Sequence, residues 1–221
     1  MPLSTVSLVL QRNGLGRRSA LVPKHQQRRY EYAQPGELVH VDVKKLARIA
    51  DGAGHRVHGQ RSQQRRRRAG TRVGYEYVHV CIDDATRLAY VEVLDDERAT
   101  TAVGFLLRAL RFYRAHGIRV QRVMTDNGAA YTSRRHARLV ELLNVRHLRT
   151  RPRRPQTNGK AERFIRTLTD GWAYGAIHST SDQRRRALPG WLEFSNHRRP
   201  HGSLNRQTPA QRMNNLRGSY T

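Results

Sequence analysis

A chain of 221 residues and 25.5 kDa has room for one good-sized catalytic domain, with or without arms, and excludes a large multidomain machine. Its 42 Lys and Arg face 17 Asp and Glu, a formal net charge of +25, and self-repulsion on this scale opposes a compact state unless a polyanion supplies counter-charge. Nucleic acid is therefore the leading partner; GC-rich coding would account for the preference of Arg over Lys, but not for the shortage of acids.

Residues 1–36 are basic and interrupted by Gly14, Gly16, Pro23 and Pro35. One apolar patch, Thr5 to Leu10, suits a helix of about two turns, and the whole reads as an arm. Met1 to Leu10 lacks the basic leader of a secretory signal, and no stretch approaches the roughly 18 apolar residues of a membrane span. The expectation is a cytoplasmic protein without a membrane partner. Leu38 to Val43 alternates in a β-branched run that reads as a strand with Asp42 inside it.

Residues 51–74 hold five Gly and a run from Arg61 to Arg72 with no aliphatic side chain larger than Ala, the signature of a flexible, charged loop. Tyr75 to Ile82 and Leu88 to Leu94 follow as strands joined by a five-residue hairpin connection, Asp83 to Arg87, so the first three strands suggest an antiparallel meander. The single cysteine, Cys81, excludes an internal disulfide and reads as a buried strand thiol in a reducing compartment. Adjacent Asp83 and Asp84 suggest a metal site at first sight; turn chemistry is the better explanation.

Thr100 to His116 carries Val103, Leu106, Leu107, Leu110 and Tyr113 at helical spacing and ends at Gly117. A strand at Val120 to Thr125, a Ser-capped helix at Ser133 to Leu143 and a strand at Val145 to Leu148 come next. Alternation of strand and helix implies parallel pairing after the meander. A Pro, Arg and Gly loop from Thr150 leads into a helix from about Asn158 to Trp172, with a buried stripe of Ala161, Phe164, Ile165, Leu168 and Trp172. At 100° per residue Glu162 lies about 90° from the middle of that stripe, on the edge shared with Asn158 and Arg166. Domain limits are expected at 1–36 for the arm, 37–175 for a catalytic core and 176–221 for a basic C-terminal extension.

Three acids stand out from pairing and capping roles. Asp42 sits in an apolar strand, where a lone carboxylate is expensive to desolvate. Asp126 follows a strand end directly, before Asn127 and Gly128. Glu162 lies on a helix edge after a loop. If the first and fourth strands are neighbours, the three converge, and carboxylates about 4 Å apart repel by about 1 kcal/mol even in bulk water. Something positive must sit between them. Hard oxygen ligands with open positions suit Mg2+ or Mn2+, and a two-ion site holds the attacking and leaving oxygens of a phosphoryl displacement.

The strand Asp42, the segment Thr125-Asp126-Asn127-Gly128, the 35-residue gap to Glu162 and the segment Pro155-Gln156-Thr157-Asn158-Gly159-Lys160-Ala161-Glu162-Arg163 together resemble the DDE integrases and transposases. The likeness is greatest to bacterial insertion-sequence transposases with a retroviral-integrase-type core, and runs from about Arg29 to Arg212. Ser195-Asn196-His197-Arg198-Arg199-Pro200-His201 resembles the family's Tyr-Asn-x-x-Arg-Pro-His tail, with Ser195 in place of Tyr. The resemblance implies an RNase H-like fold, a mixed five-stranded sheet flanked by helices. It also implies two divalent cations, Mg2+ or Mn2+, on Asp42, Asp126 and Glu162, nicking of transposon ends and their joining to target DNA without a covalent protein intermediate. Bringing two ends together implies a homo-oligomer, at least a dimer. Relatives usually carry a helix-turn-helix ahead of the core; only Ser4 through Leu15 resembles the tail of one, so an N-terminally truncated or separately encoded catalytic half is expected.

From Arg134 to Arg166 there are 11 basic residues and 2 acidic ones. Lys160, Arg163, Arg166 and the loop residues Arg151, Arg153 and Arg154 are expected to meet DNA phosphates, with Asn158 and Gln156 orienting the strand being cut. Other readings remain open: a catalytically silent DNA-binding remnant of a transposase, a basic packaging or RNA-binding protein, and an RNase H-like nuclease of another branch that would use Glu97. His197 and His201, four apart but with Pro200 between them, fit loop and DNA-backbone contacts better than zinc ligation.

Overall fold

The computed structural model describes residues 2–16, 31–49, 74–150, 158–216 and 218. The chain falls into two compact units, Met1–Glu31 and Tyr32–Thr221. In the first, helix α1 spans Leu3–Arg12 and buries none of its residues. It is longer than the apolar patch alone suggests, because Asn13 Nδ2 donates to the Val9 carbonyl and closes its last turn.

The second unit is built on five strands in the order β3-β2-β1-β4-β5. β1 (Val39–Ala47) and β2 (Tyr75–Asp83) pair antiparallel along their whole length, from Val39 opposite Asp83 to Ala47 opposite Tyr75. That nine-residue ladder carries β1 beyond the apolar run ending at Val43, since cross-strand hydrogen bonding does not need apolar side chains. β3 (Ala89–Leu94) continues the meander on β2. β4 (Arg122–Thr125) and β5 (Arg146–Arg149) add on parallel to β1 and to each other. This is the mixed pairing expected from the order of strands and helices. The charged run Arg61–Arg72 lies outside the described residues.

Helices cover both faces. α2 (Ala99–Ala115) and α3 (Arg134–Leu142) pack on one face with Val39, Val41 and Cys81. α4 (Gly159–Leu168), which runs on through a π-helical turn at Thr169–Ala173, and α5 (Ser181–Glu193) pack on the other with Leu46, Val78, Val80 and Ile82. The α2 stripe differs from the one expected: Ala102, Phe105, Leu106, Ala109 and Tyr113 are buried, whereas Val103, Leu107 and Leu110 are only half-buried. Small Ala side chains at the centre let the helix approach the sheet, and Tyr113 Oη reaches the carbonyls of Cys81 and Leu88 at 3.0 and 2.9 Å. In α4 the expected stripe is buried in full. Ser133 caps α3 by accepting the His136 N–H.

Residues 181–216 form α5, a π-helical turn at Phe194–Arg198, a short 3-10 turn at Gly202–Leu204 and α6 (Pro209–Leu216). Buried Asn196 binds both backbone groups of Ala89, accepting its N–H (3.0 Å) and donating to its carbonyl (2.9 Å). The tail motif therefore clamps the start of β3. α5 is fastened by charge. Arg184 donates to Glu76 Oε2 (2.5 Å) and to the Ala47 carbonyl (2.8 Å), and Arg185 donates to Glu76 Oε1 (2.5 Å).

His136 on α3 packs against His147 of β5 with ring centres 4.5 Å apart and planes tilted by 53°, and neither of its ring nitrogens has a hydrogen-bond partner among the described residues. Burial, and then the neighbouring His147, pushes its pKa down from 6.5 to about 4. The unfolded chain takes up the proton first, so stability present above pH 6.5 drains away as the pH falls toward 4. The loss over that window is expected to reach about 3 kcal/mol. Urea unfolding of His136→Phe between pH 7 and pH 4.5 should show a clearly flatter decline than the parent chain; parallel declines would disprove the assignment.

Candidate active site at the strand ends

β1 and β4 run parallel with Val39 opposite Val123 and His40 opposite Met124, an offset of 84 residues (123 − 39 = 84). Continued two places, the same offset sets Asp42 level with Asp126 (126 − 42 = 84), one residue past the end of β4. The spacing read from the sequence thus has a structural cause in strand register. Asp42 is half-buried, and Asp126 and Glu162 are exposed, Glu162 in the first turn of α4. α4 packs across β1 and β2, which brings its N-terminal end to the same sheet.

Electrostatics join the three. The Asp42 carboxyl is raised to about 6, by burial first, then by the negative charges of Asp126 and Glu162, against the Val43 N–H and Lys44. Buried Tyr131 feels the same pair of aspartates: burial and then Asp42 and Asp126 hold its hydroxyl far above the usual range. Asp126 Oδ1 accepts the Gly128 N–H at 2.9 Å, and a Cβ on Gly128 would stand 3.0 Å from that oxygen. Asn127 Nδ2 donates to the Thr150 carbonyl, tying the Asp126 turn to the end of β5.

Carboxylates are hard-oxygen donors, the kind that Mg2+ and Mn2+ select. Among the described residues no three His, Cys, Asp or Glu side chains are drawn together into a closed metal-holding group. Asp42, Asp126 and Glu162 are not gathered into such a group, although their charge and donor type suit a divalent cation.

The residues expected to meet DNA divide. Arg163 and Arg166 are exposed on α4. Lys160 is turned inward: its Nζ donates to Asp84 Oδ1 at 2.6 Å. Asn158 is 4% exposed, with Oδ1 3.2 Å from His40 Nδ1. Gln156, Arg151, Arg153 and Arg154 lie outside the described residues.

His40 and Asp84, to which the sequence assigns no site role, are both fully buried. Asp83 does behave as a turn residue, accepting the Thr86 N–H and hydroxyl and the Gly36 N–H. Asp84 does not. Its carboxylate accepts from His40 Nε2 (2.7 Å), from Lys160 and from the Tyr32 N–H (2.8 Å). Burial alone would raise its pKa; His40, Lys160 and the Tyr32 N–H outweigh that and hold it at about 2. The only sequence hint was the position of His40, two residues before Asp42 and hence on the same strand face.

Comparison with known proteins follows the same lines. Two family models described as "Integrase core domain" match residues 33–155 and 143–209. Among curated relatives, a putative integrase of Spiroplasma virus SpV1-C74 is 31% identical, covering 63% of this chain and 42% of the relative. An uncharacterized protein of insertion element IS136 from Agrobacterium fabrum is 30% identical, covering 46% of this chain and 52% of the relative. The chain thus spans about half the length of these relatives or less. Among solved structures, a chain of the simian T-cell lymphotropic virus intasome in complex with PP2A regulatory subunit B56 gamma superposes with a TM-score of 0.63 at 20% identity, covering 94% of this chain and 70% of that one. The HTLV-2 integrase catalytic core domain in complex with magnesium gives 0.55 at 15% identity, covering 81% and 97%. At such identities the likeness establishes the fold, the RNase H-like mixed sheet of integrase catalytic cores.

Proposed function

The chain belongs to the integrase core domain family, and from that premise we propose that it is the catalytic core of a DNA transposase or integrase, cutting a DNA strand and joining the freed 3′ end to a second DNA. Asp42, Asp126 and Glu162 would hold two divalent cations, Mg2+ or Mn2+. The observation that carries this reading is Asp42, a half-buried strand carboxylate whose proton is held by burial first and then by the negative charges of Asp126 and Glu162, in a chain of net charge +25. In a chain with so few acids, a half-buried carboxylate near two others supports a role for all three in holding cations.

When bound, the cations provide Lewis acidity at the attacking and leaving oxygens of an in-line displacement at phosphorus. The chain does the rest. Asp42 stands in a strand, Asp126 one residue past the end of the neighbouring strand and Glu162 in the first turn of a helix packed on that sheet, so each donor is carried on or next to a rigid element. Exposed Arg163 and Arg166 follow Glu162 on α4 and offer guanidinium forks to the phosphates of the strand. The partners are transposon-end and target DNA, and the working assembly contains at least two copies, acting in the cytoplasm.

The test is a joining reaction. Purified chain, a preprocessed DNA end and Mn2+ should give joined products that vanish with EDTA and with Asp126→Asn. No joining by a folded wild-type chain would sink this reading and favour a silent DNA-binding remnant.

A further inference from the structure

Asp84 serves three separate segments with one fully buried carboxylate. Tyr32 donates to it from the chain entering the unit, His40 from β1 and Lys160 from the first turn of α4. We propose that Asp84 is a positioning residue for the cation site: through Lys160 and His40 it seats the entry of α4 on β1, and so sets where Glu162 stands relative to Asp42. The inference rests on the reading of the three acids as cation ligands.

Each link is adjacent to a ligand. His40 and Asp42 are two apart on β1 and share a face. Lys160 and Glu162 are two apart on α4, so their side chains diverge by about 200°, one toward Asp84 and the other to the exposed rim. Asn158, immediately before α4, makes no side-chain cap to its own helix and meets His40 instead. Both nitrogens of the His40 ring are thereby engaged, one by Asp84 and one by the residue that leads into Glu162.

Turn formation does not need this arrangement, because neighbouring Asp83 already satisfies the turn. A buried carboxylate is costly unless several donors meet it. Releasing α4 would strip Asp84 of Lys160 and leave that cost in place, so the helix entry is held down by the charge beneath it. Supporting residues behind metal ligands typically govern metal affinity by ten- to a hundredfold.

Isothermal titration of the full chain with Mn2+ tests this directly, using Asp84→Asn, Lys160→Met and the double variant. Each single change is expected to weaken Mn2+ binding by about tenfold, within that range, with the circular dichroism spectrum unchanged. The double variant should bind no worse than the weaker single, because both changes cut one link. Wild-type titration curves from both folded single variants would overturn the inference, as would a Lys160→Met variant that loses DNA affinity while keeping Mn2+ affinity, the result expected of a phosphate contact. If Asp84→Asn does not fold, Lys160→Met decides alone, since its side chain is 22% exposed and its loss leaves His40 and Tyr32 on Asp84. A wild-type chain that takes up no Mn2+ overturns both this inference and the function it rests on; normal wild-type uptake with unaffected variants overturns the inference only.

Discussion

Asp42→Asn is expected to make the protein inactive and, without metal, more stable. The two effects share one cause. In the free chain the folded state raises the Asp42 carboxyl from 3.8 to about 6, so folding is penalised at every pH above that window. A raised carboxylate pKa costs stability as pH rises through the window, and the full cost at pH 7 is up to about 3 kcal/mol. An amide keeps the shape and removes the charge that burial, Asp126 and Glu162 oppose. Unfolding of the metal-free variant at pH 7 should therefore occur at higher denaturant, while at pH 3.5 the two proteins should converge. Joining of DNA should fall by about a thousandfold or more, comparable to losing about 4 kcal/mol of transition-state stabilisation. A variant that is inactive but no more stable would mean that the half-buried acid is already neutralised by another group. An active variant would remove Asp42 from the site.

The second large effect lies far from the acids. Arg184→Met should destabilise the fold by about 3 kcal/mol, because Glu76 is fully buried and would keep only Arg185 as a charged partner. For a chain of this length that corresponds to a fall of about 10 °C in melting temperature. The loss includes the bond to the Ala47 carbonyl. Adding Glu76→Leu should recover much of it, since replacing both members of a buried pair by apolar groups leaves no uncompensated charge. A double variant as unstable as the single would show that the Ala47 contact, and not the ion pair, carries the energy.

Arg184 also shows where the sequence stops being legible. A helix is read from the polarity of its faces, and α5 buries an arginine among apolar neighbours and carries Pro189 inside it. Its polarity pattern is therefore blurred, and residues 176–221 read as a basic extension. The partner that makes burial tolerable, Glu76, is 108 residues away, and nothing local announces it. The same holds for His40 and Lys160, which reach Asp84 across 44 and 76 residues. The strands, by contrast, announce themselves through β-branched runs, because a sheet covered on both faces needs apolar side chains at most positions. Two of the three acids are legible for a related reason: parallel register sets Asp42 level with Asp126, so their spacing follows from the fold. The α2 stripe is less legible, because its buried line runs through Ala102 and Ala109, whose smallness allows the close approach and gives little apolar signal.

The clamp that Asn196 places on Ala89 has a consequence for life at high local concentration. β3 is an outer strand of the sheet, and unpaired outer strands recruit one another into runaway polymers. By occupying both the N–H and the carbonyl of Ala89, one side-chain amide caps the point where an incoming strand would begin to zip. The opposite border is a four-residue strand flanked by Arg146 and Arg149, short and charged. Both borders of the sheet are thus guarded against pairing with further copies of the chain.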